Sequence, residues 1–512
     1  MTTTRRPTPI LAKLTAAIAV VAVAQMIFST DSEIGGTIGV LALVWVATLA
    51  ITRPIIWRTP GARIALVAAA GYALVLIDDP NPLALLLGWI AISLAAQLPR
   101  RQFGDALLWA RRLGWHAIVA LGLPWRDWAW SAAARRRTRR SGARAAAAEL
   151  VVPIVGGALF LTLFANANPL IGNAFGRIAL PDPTEVIWRT LLAAVIGTAV
   201  WATLRPRLAA RTGDRLDVPS RTARLDPGVA TLVVSLATFN LIFAGQNALD
   251  ILFLWSGAPL PAGVTMADYA HRGAYALIVT ALLAALFVLV TLRPGGSAAA
   301  SPAVRRLVTV WIAQNLLLVA SSALRLVDYI AAYAMTGLRL AALAWMALVA
   351  TGLALILWRL LRGRSAAWLV NANALAAALV LSAASAVDLG ATAAAWNADV
   401  ALAQGRAGPP LDLCYLARLG PSGLVALARL EHHAKDAGLR DRLAYLRWQA
   451  QRQTAAQQGD WRSWSGRNAR RLATVEAMVG TRAPTLRAAP NGRACGWIYP
   501  VEPARLTKAA QR

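Results

Sequence analysis

Residues 239–255, FNLIFAGQNALDILFLW, and residues 311–330, WIAQNLLLVASSALRLVDYI, decide how this chain is read. Both are apolar runs, yet the first carries Asn240, Gln246, Asn247 and Asp250, and the second Gln314, Asn315, Ser321, Arg325 and Asp328. Polar groups are costly in hydrocarbon and are expected to face protein or a cavity rather than lipid. Asn240, Asn247 and Asp250 follow steps of seven and three, which puts them on one helical face. Gln314, Ser321, Arg325 and Asp328 follow steps of seven, four and three, again one stripe. Two polar stripes on two apolar helices predict a buried seam in a helix bundle.

The rest of the chain supports a membrane setting. Of its 512 residues 58% are hydrophobic and 15% charged, a balance that excludes an ordinary soluble domain. The net charge of +28 could suggest nucleic acid. The arginines, however, lie in short clusters between apolar runs, as in cytoplasmic membrane loops, so no nucleic-acid partner is expected. Arg5 and Arg6 precede a first apolar run with no convincing cleavage site and with Lys13 inside it, so it reads as a retained span.

Runs of about 17–25 apolar residues suffice to cross a bilayer. Eleven are expected, at 10–28, 34–51, 62–77, 82–98, 149–165, 185–204, 229–255, 272–292, 307–325, 340–358 and 366–387. With the N-terminus inside, the inner segments hold 28 arginines against five in the outer loops and span ends. The outer turns carry Asp31 and Glu33, Asp78 and Asp79, Asp182 and Glu185. That asymmetry obeys the positive-inside rule and predicts an outer C-terminus in a cytoplasmic (inner) membrane.

The expected fold is therefore all-α: a polytopic bundle of about eleven spans with a small helical extracytoplasmic domain. Four N-terminal spans occupy 1–98. A basic cytoplasmic or interfacial segment fills 99–148, a seven-helix core 149–387, and the outer domain 388–512. The basic segment mixes tryptophan with arginine, as an interfacial helix does. It ends in a cluster from Arg135 to Arg144, six arginines that would attract anionic lipid at about 1 kcal/mol each.

In the outer domain, PSGLVALARLEHHAKDAG and LRDRLAYLRWQAQRQ have helical leucine spacing, and a third helix is expected across 469–479. The two cysteines, Cys414 and Cys495, both fall here. Outside the cytoplasm they would either form a persistent disulfide or stay free and buried.

Chemistry-bearing motifs are absent: no Gly-rich phosphate loop, no His-Glu-x-x-His, no Gly-x-Ser-x-Gly and no cysteines at zinc spacing. No cofactor, metal site or catalytic residue is expected. His432 and His433 are sequence neighbours and cannot share a helical face, so a solvated surface suits both. Asp250 lies five residues before Trp255, about 8 Å from the outer span end at 1.5 Å per residue. Asp250, Arg325 and Asp328 would thus form an outer polar cluster with Tyr269, His271 and Arg272 of the intervening loop. The plain reading of that cluster is an interhelical network, worth about 0.6 kcal/mol per contact. A ligand vestibule and a proton-coupled site are the functional alternatives.

Residues 239–289 resemble the core of a bacterial integral-membrane family of unknown function, number four-one-seven-three, related to a sister family four-one-five-three. The resembling features are Gln246 and Asp250 on a polar span, a Pro/Gly loop, and Tyr-Ala-His-Arg-Gly at 269–273 opening the next span. The likeness extends to Trp-Asn-Ala-Asp at 396–399 and Cys-Tyr-Leu-Ala-Arg-Leu-Gly-Pro at 414–421. It implies the segmentation and no activity. Three functions stay open: a structural or regulatory protein whose outer domain meets a protein partner, a transporter, and an envelope enzyme acting on a lipid-linked substrate. A sealed outer cluster favours the first, a midplane cavity the second, and a lipid-accessible groove the third.

Overall fold

A computed structural model describes residues 10–28, 33–101, 103–120, 183–206, 228–256, 301–405 and 408–481. It also describes isolated positions that include Asp127, Leu283, Cys495 and the 497–498 strand. The described residues are almost all helical. In chain order the helices are α1 (Ile10–Ile27), α2 (Thr37–Thr52), α3 (Pro60–Asp78), α4 (Pro82–Gln97), α5 (Ala106–Ala120), α6 (Pro183–Leu204) and α7 (Val229–Asp250). They continue with α8 (Pro302–Tyr333), α9 (Gly337–Arg362), α10 (Ala366–Ala386), α11 (Leu389–Gln404), α12 (Leu413–Arg418), α13 (Leu424–His433), α14 (Ala437–Gly459) and α15 (Gly466–Val479). Two-residue strands β1 (Leu411–Asp412) and β2 (Trp497–Ile498) pair antiparallel.

Seven of these helices are long and apolar enough to span a bilayer, and two shorter apolar helices precede them. Large apolar side chains point outward along them: Leu379 is 63% exposed, Ile242 62% and Leu241 75%. Such a surface would aggregate in water but matches the acyl chains of a bilayer. The protein is a helical membrane bundle. Nine of the eleven expected runs coincide with described helices; those at 149–165 and 272–292 lie outside the described residues, Gly157 and Leu283 apart.

The chain forms two compact units. One comprises Met1–Leu74, Gly88–Phe103 and Trp109–Val218. Its core joins α1 to α4 and α6 through Val20, Ala24, Leu49, Ile56, Ala95 and Val200. Arg53, only 5% exposed, ends α2 inside this core. Its guanidinium donates to the backbone carbonyls of Ala96 and Thr203 at 2.5 and 3.2 Å, which satisfies carbonyls left over at two helix C-termini. In α5, His116 is buried against Trp89, and burial lowers its pKa to about 4, so it is neutral at physiological pH.

The other unit comprises Val75–Leu87, Gly104–Leu108 and Pro219–Arg512. Its apolar core packs α7, α8, α9 and α10 through Leu236, Phe243, Val308, Trp311, Leu353 and Leu369. The run expected at 307–325 is the middle of a longer helix. α8 begins at Pro302, where proline at the first turn loses no bond, and continues two turns past Arg325. α9 stops at Gly363, whose φ of +62° suits a left-handed cap, with Arg359 and Arg362 in its last turn. Asp388, Asp412 and Asp436 each cap a helix by accepting a backbone N–H three residues on.

α11 to α15 form the C-terminal helical part. Leu413, Leu416, Leu427, Leu430, Leu443 and Leu446 build its core, and Leu424, Leu472 and Val475 extend it. The leucine spacings expected in α13 and α14 are those that pack. Within this core Arg447, 2% exposed, donates twice to Glu431 at 2.8 and 3.0 Å and once to Gln451 at 2.7 Å. Both oxygens of the carboxylate are thereby engaged, as a charge taken out of water requires.

Candidate functional site

α7 and α8 meet along the seam that the two polar stripes predict. Asn240 donates to the Leu307 carbonyl at 3.1 Å and accepts from Gln314 Nε2 at 3.1 Å. About two helical turns further, Asn247 donates to the Gln314 carbonyl at 3.2 Å. Partners rise together along both helices, so α7 and α8 run parallel. At the far end Asp250 and Arg325 form an ion pair, and Gln246 Nε2 donates to Asp250 Oδ1 at 3.0 Å.

Immediately after Asp250 the backbone widens into one turn of π-helix, Ile251–Trp255. A π turn rotates the residues beyond it, and here it brings the Trp255 indole onto Ser321 Oγ at 3.0 Å. Asp250 is fully buried and Arg325 is 7% exposed. The pair is sealed from solvent.

The remaining candidates are less close. Asp328 is half-buried and makes no ion pair or hydrogen bond among the described residues, one turn beyond Arg325. Asn315 is buried, but its amide nitrogen returns to the Trp311 carbonyl of its own helix at 2.8 Å. The side-chain oxygens of Asn247, Gln314 and Asn315 are buried and accept no hydrogen bond among the described residues. Tyr269, His271 and Arg272 lie outside the described residues, as do Arg135 and Arg144. Among the described residues no three His, Cys, Asp or Glu side chains converge as a metal site would need.

A second constellation, absent from the sequence-based expectations, holds the C-terminal helices in place. Arg467 donates from Nε to Asp78 at 3.0 Å, from Nη1 to Asp79 at 2.8 Å and from Nη2 to the Ala386 carbonyl at 2.7 Å. One guanidinium thus fastens α15 to the α3–α4 turn and to the end of α10. Arg470 also pairs with Asp78, and Arg471 with Asp388. Asp388 further accepts from Ser422 Oγ at 2.6 Å and the Ala391 N–H at 2.9 Å.

Burial opposes ionisation of Asp388, yet the hydrogen bonds from Ser422, Ala391 and Arg471 outweigh it and hold the carboxyl below its ordinary value. Asp79 is shifted upward: burial is the main cause, reinforced by the Asp388 and Asp78 carboxylates and opposed by Arg467 and Arg471.

A third contact joins the turn between α8 and α9. Asn397 accepts from the Met335 N–H at 2.7 Å and donates to the Met335 carbonyl at 2.9 Å, pairing with both backbone groups. Tyr415 Oη accepts from the Gly337 N–H at 2.9 Å. Next to it, Cys414 is disulfide-bonded to Cys495 across a separation of 81 residues, beside the β1–β2 pair. The 396–399 and 414–421 motifs therefore sit at this joint. Asp399, the last residue of the first motif, pairs with Arg429 on the surface.

A family model described as Domain of unknown function (DUF4153) matches residues 15–430. The motifs point to family four-one-seven-three, with four-one-five-three as its sister; the match falls on the latter. No curated protein and no solved structure matches the chain.

Proposed function

The chain belongs to the DUF4153 family, and on that premise we propose a structural or regulatory multi-pass protein of the bacterial cytoplasmic membrane. In this reading α11 to α15 stand outside the cytoplasm, held on the bundle as a platform for a protein partner. The observation that carries it is the burial of the Asp250–Arg325 pair. A carboxylate that exchanged protons with substrate, or an arginine that held phosphate, would need an opening; here both charges are buried and paired.

The topology is supported by two relations. The α3–α4 turn, the α8–α9 turn and the end of α10 all bond to the C-terminal helices, and the arginine asymmetry assigns all three to the outer side. The parallel course of α7 and α8 requires the chain to return between them, and the run at 272–292 is the sequence suited to that crossing.

The test is complementation of a deletion strain, with a reporter active only outside the cytoplasm fused after Arg512. An active reporter is expected. Asp250→Asn, at normal membrane level, should complement, whereas Arg467→Glu, which unfastens the platform, should not. The opposite pattern, loss with Asp250→Asn and full function with Arg467→Glu, would overturn the structural reading in favour of chemistry at the pair.

A further inference from the structure

The turn between α14 and α15 carries two tryptophans that the core does not use: Trp461 is 51% exposed and Trp464 39%. The turn is well built. Ser463 Oγ donates to the Gln457 carbonyl at 2.5 Å, the Ser465 N–H donates to Gln458 Oε1 at 3.3 Å, and the Arg462 guanidinium lies 4.6 Å over the Trp461 ring. Large aromatic surface held open on an ordered turn calls for an occupant.

What the turn adjoins identifies that occupant. Gly466, two residues after Trp464, abuts the last residue of α3: a β-carbon there would lie 3.3 Å from Asp78 Oδ1 and 3.6 Å from its Cα. Arg467, the next residue, bonds the α3–α4 turn and the last carbonyl of α10. Those are the ends of three membrane-spanning helices. A chain extends at most about 3.5 Å per residue, so the Trp464 Cα is within about 10 Å of the Arg467 Cα. The interfacial layer beyond the hydrocarbon is about 5–8 Å deep on each side, and tryptophan collects there because its ring is apolar and its N–H is wet.

We infer that the 460–465 turn is a membrane-interface anchor, Trp461 and Trp464 entering the lipid headgroup layer beside the ends of α3, α4 and α10. The ligand is the bilayer surface itself. Arg462, stacked over the Trp461 ring, adds a cation that anionic lipid headgroups would favour. The anchor and the Arg467 clamp then hold α15 from two sides, one through lipid and one through carboxylates.

The inference rests on the membrane reading of the bundle, and the experiment separates the two. Both native cysteines are in the disulfide, so a cysteine at 461, 464, 453 or 379 is the sole free thiol for a nitroxide. In vesicles of phosphatidylethanolamine and phosphatidylglycerol, the ratio of collisions with oxygen to collisions with a water-soluble nickel chelate reports depth. Position 453, exposed on α14, is the water reference, and position 379, in α10, is the lipid reference. Ratios at 461 and 464 should lie several-fold above that at 453 and below that at 379. Ratios equal to that at 453, with 379 deep, would overturn the anchor alone and leave the two rings to a protein partner. A water-like ratio at 379 would overturn the membrane reading with it.

Because labelling removes the ring it tests, a second measurement keeps the rings' role open to refutation. Quenching of the full-length protein by brominated lipid should fall in the Trp461→Phe/Trp464→Phe variant by the share those two of 20 tryptophans carry. No fall would overturn the anchor.

Discussion

Asp250 and Arg325, 75 residues apart in the chain, are an ion pair in which neither side chain is more than 6% exposed. Removing one partner leaves the other as an uncompensated charge, which costs about 3–5 kcal/mol for a buried pair. Arg325→Met should therefore destabilise the protein strongly. Adding Asp250→Leu should restore much of the loss, so that the double variant is more stable than either single one. Thermal unfolding in detergent, read by a four-way mutant cycle, checks the coupling. Additive losses would deny the pairing.

The three arginines of α15 should differ in weight. Among the described residues, Arg467 is 15% exposed and makes three side-chain hydrogen bonds, two of them to carboxylates, while Arg470 is 68% exposed and its guanidinium has a single partner. Hydrogen bonds to charged groups contribute about 1.5–3 kcal/mol each, while exposed pairs contribute about 0–1 kcal/mol. Arg467→Ala should raise hydrogen exchange throughout α15 by at least tenfold. Arg470→Ala should change it little, and least at high salt.

The Asp388–Arg471 contact should be acid-labile. A carboxyl whose folded pKa is depressed contributes stability that is fully present above the ordinary carboxylate value, about 3.9, and is lost as pH falls through the lower folded value. Asp79, raised by burial, has the opposite sign: its ionisation penalty is present at neutral pH and relieved on acidification. Exchange protection of α15 should thus fall below about pH 4 in the wild type. Asp388→Asn should weaken protection at neutral pH and flatten that fall. Asp79→Asn should leave neutral stability equal or higher and steepen the acid loss.

The Cys414–Cys495 bond closes a loop of sequence separation 81, which by the chain-entropy account contributes about 4–5 kcal/mol. Replacing both cysteines by serine should lower the denaturation midpoint of the C-terminal helices and leave that of the spans unchanged. Tryptophan fluorescence and far-ultraviolet dichroism followed together would resolve the two transitions.

Gly423 should not tolerate alanine. Its β-carbon would collide with the Leu416 carbonyl, a backbone atom that cannot step aside. Gly423→Ala should cost about 1–3 kcal/mol, the usual range for overpacking. Protease resistance of the 413–433 region is the direct readout.

The polar seam was legible in advance because helical periodicity converts spacing into a shared face. Asn240, Asn247, Gln314, Ser321 and Arg325 all reach the interface that their steps of seven, four and three imply. Gln246 lies off that stripe yet reaches Asp250, because one turn separates them. Asp328 shares the stripe but not the pairing. The arginine clamp was missed, although a signal existed: Arg467, Arg470 and Arg471 are spaced three and four apart on one helix. An acidic turn at Asp78 and Asp79 waited on the side otherwise poor in arginine. Asn397 and Tyr415 lay inside recognised motifs, but nothing local reveals that each grips a turn 62 or 78 residues away.

The sequence by itself determined the class of the molecule. Apolar runs long enough for a bilayer, broken by short charged loops, leave only helices, since lipid offers no partner to an open backbone. Which charges meet was decided by the tertiary structure alone. Asp250 finds Arg325 across 75 residues and Asp78 finds Arg467 across 389, because pairing depends on which helices the packing brings within reach. Composition sets how much charge each segment carries and says nothing of which segments touch.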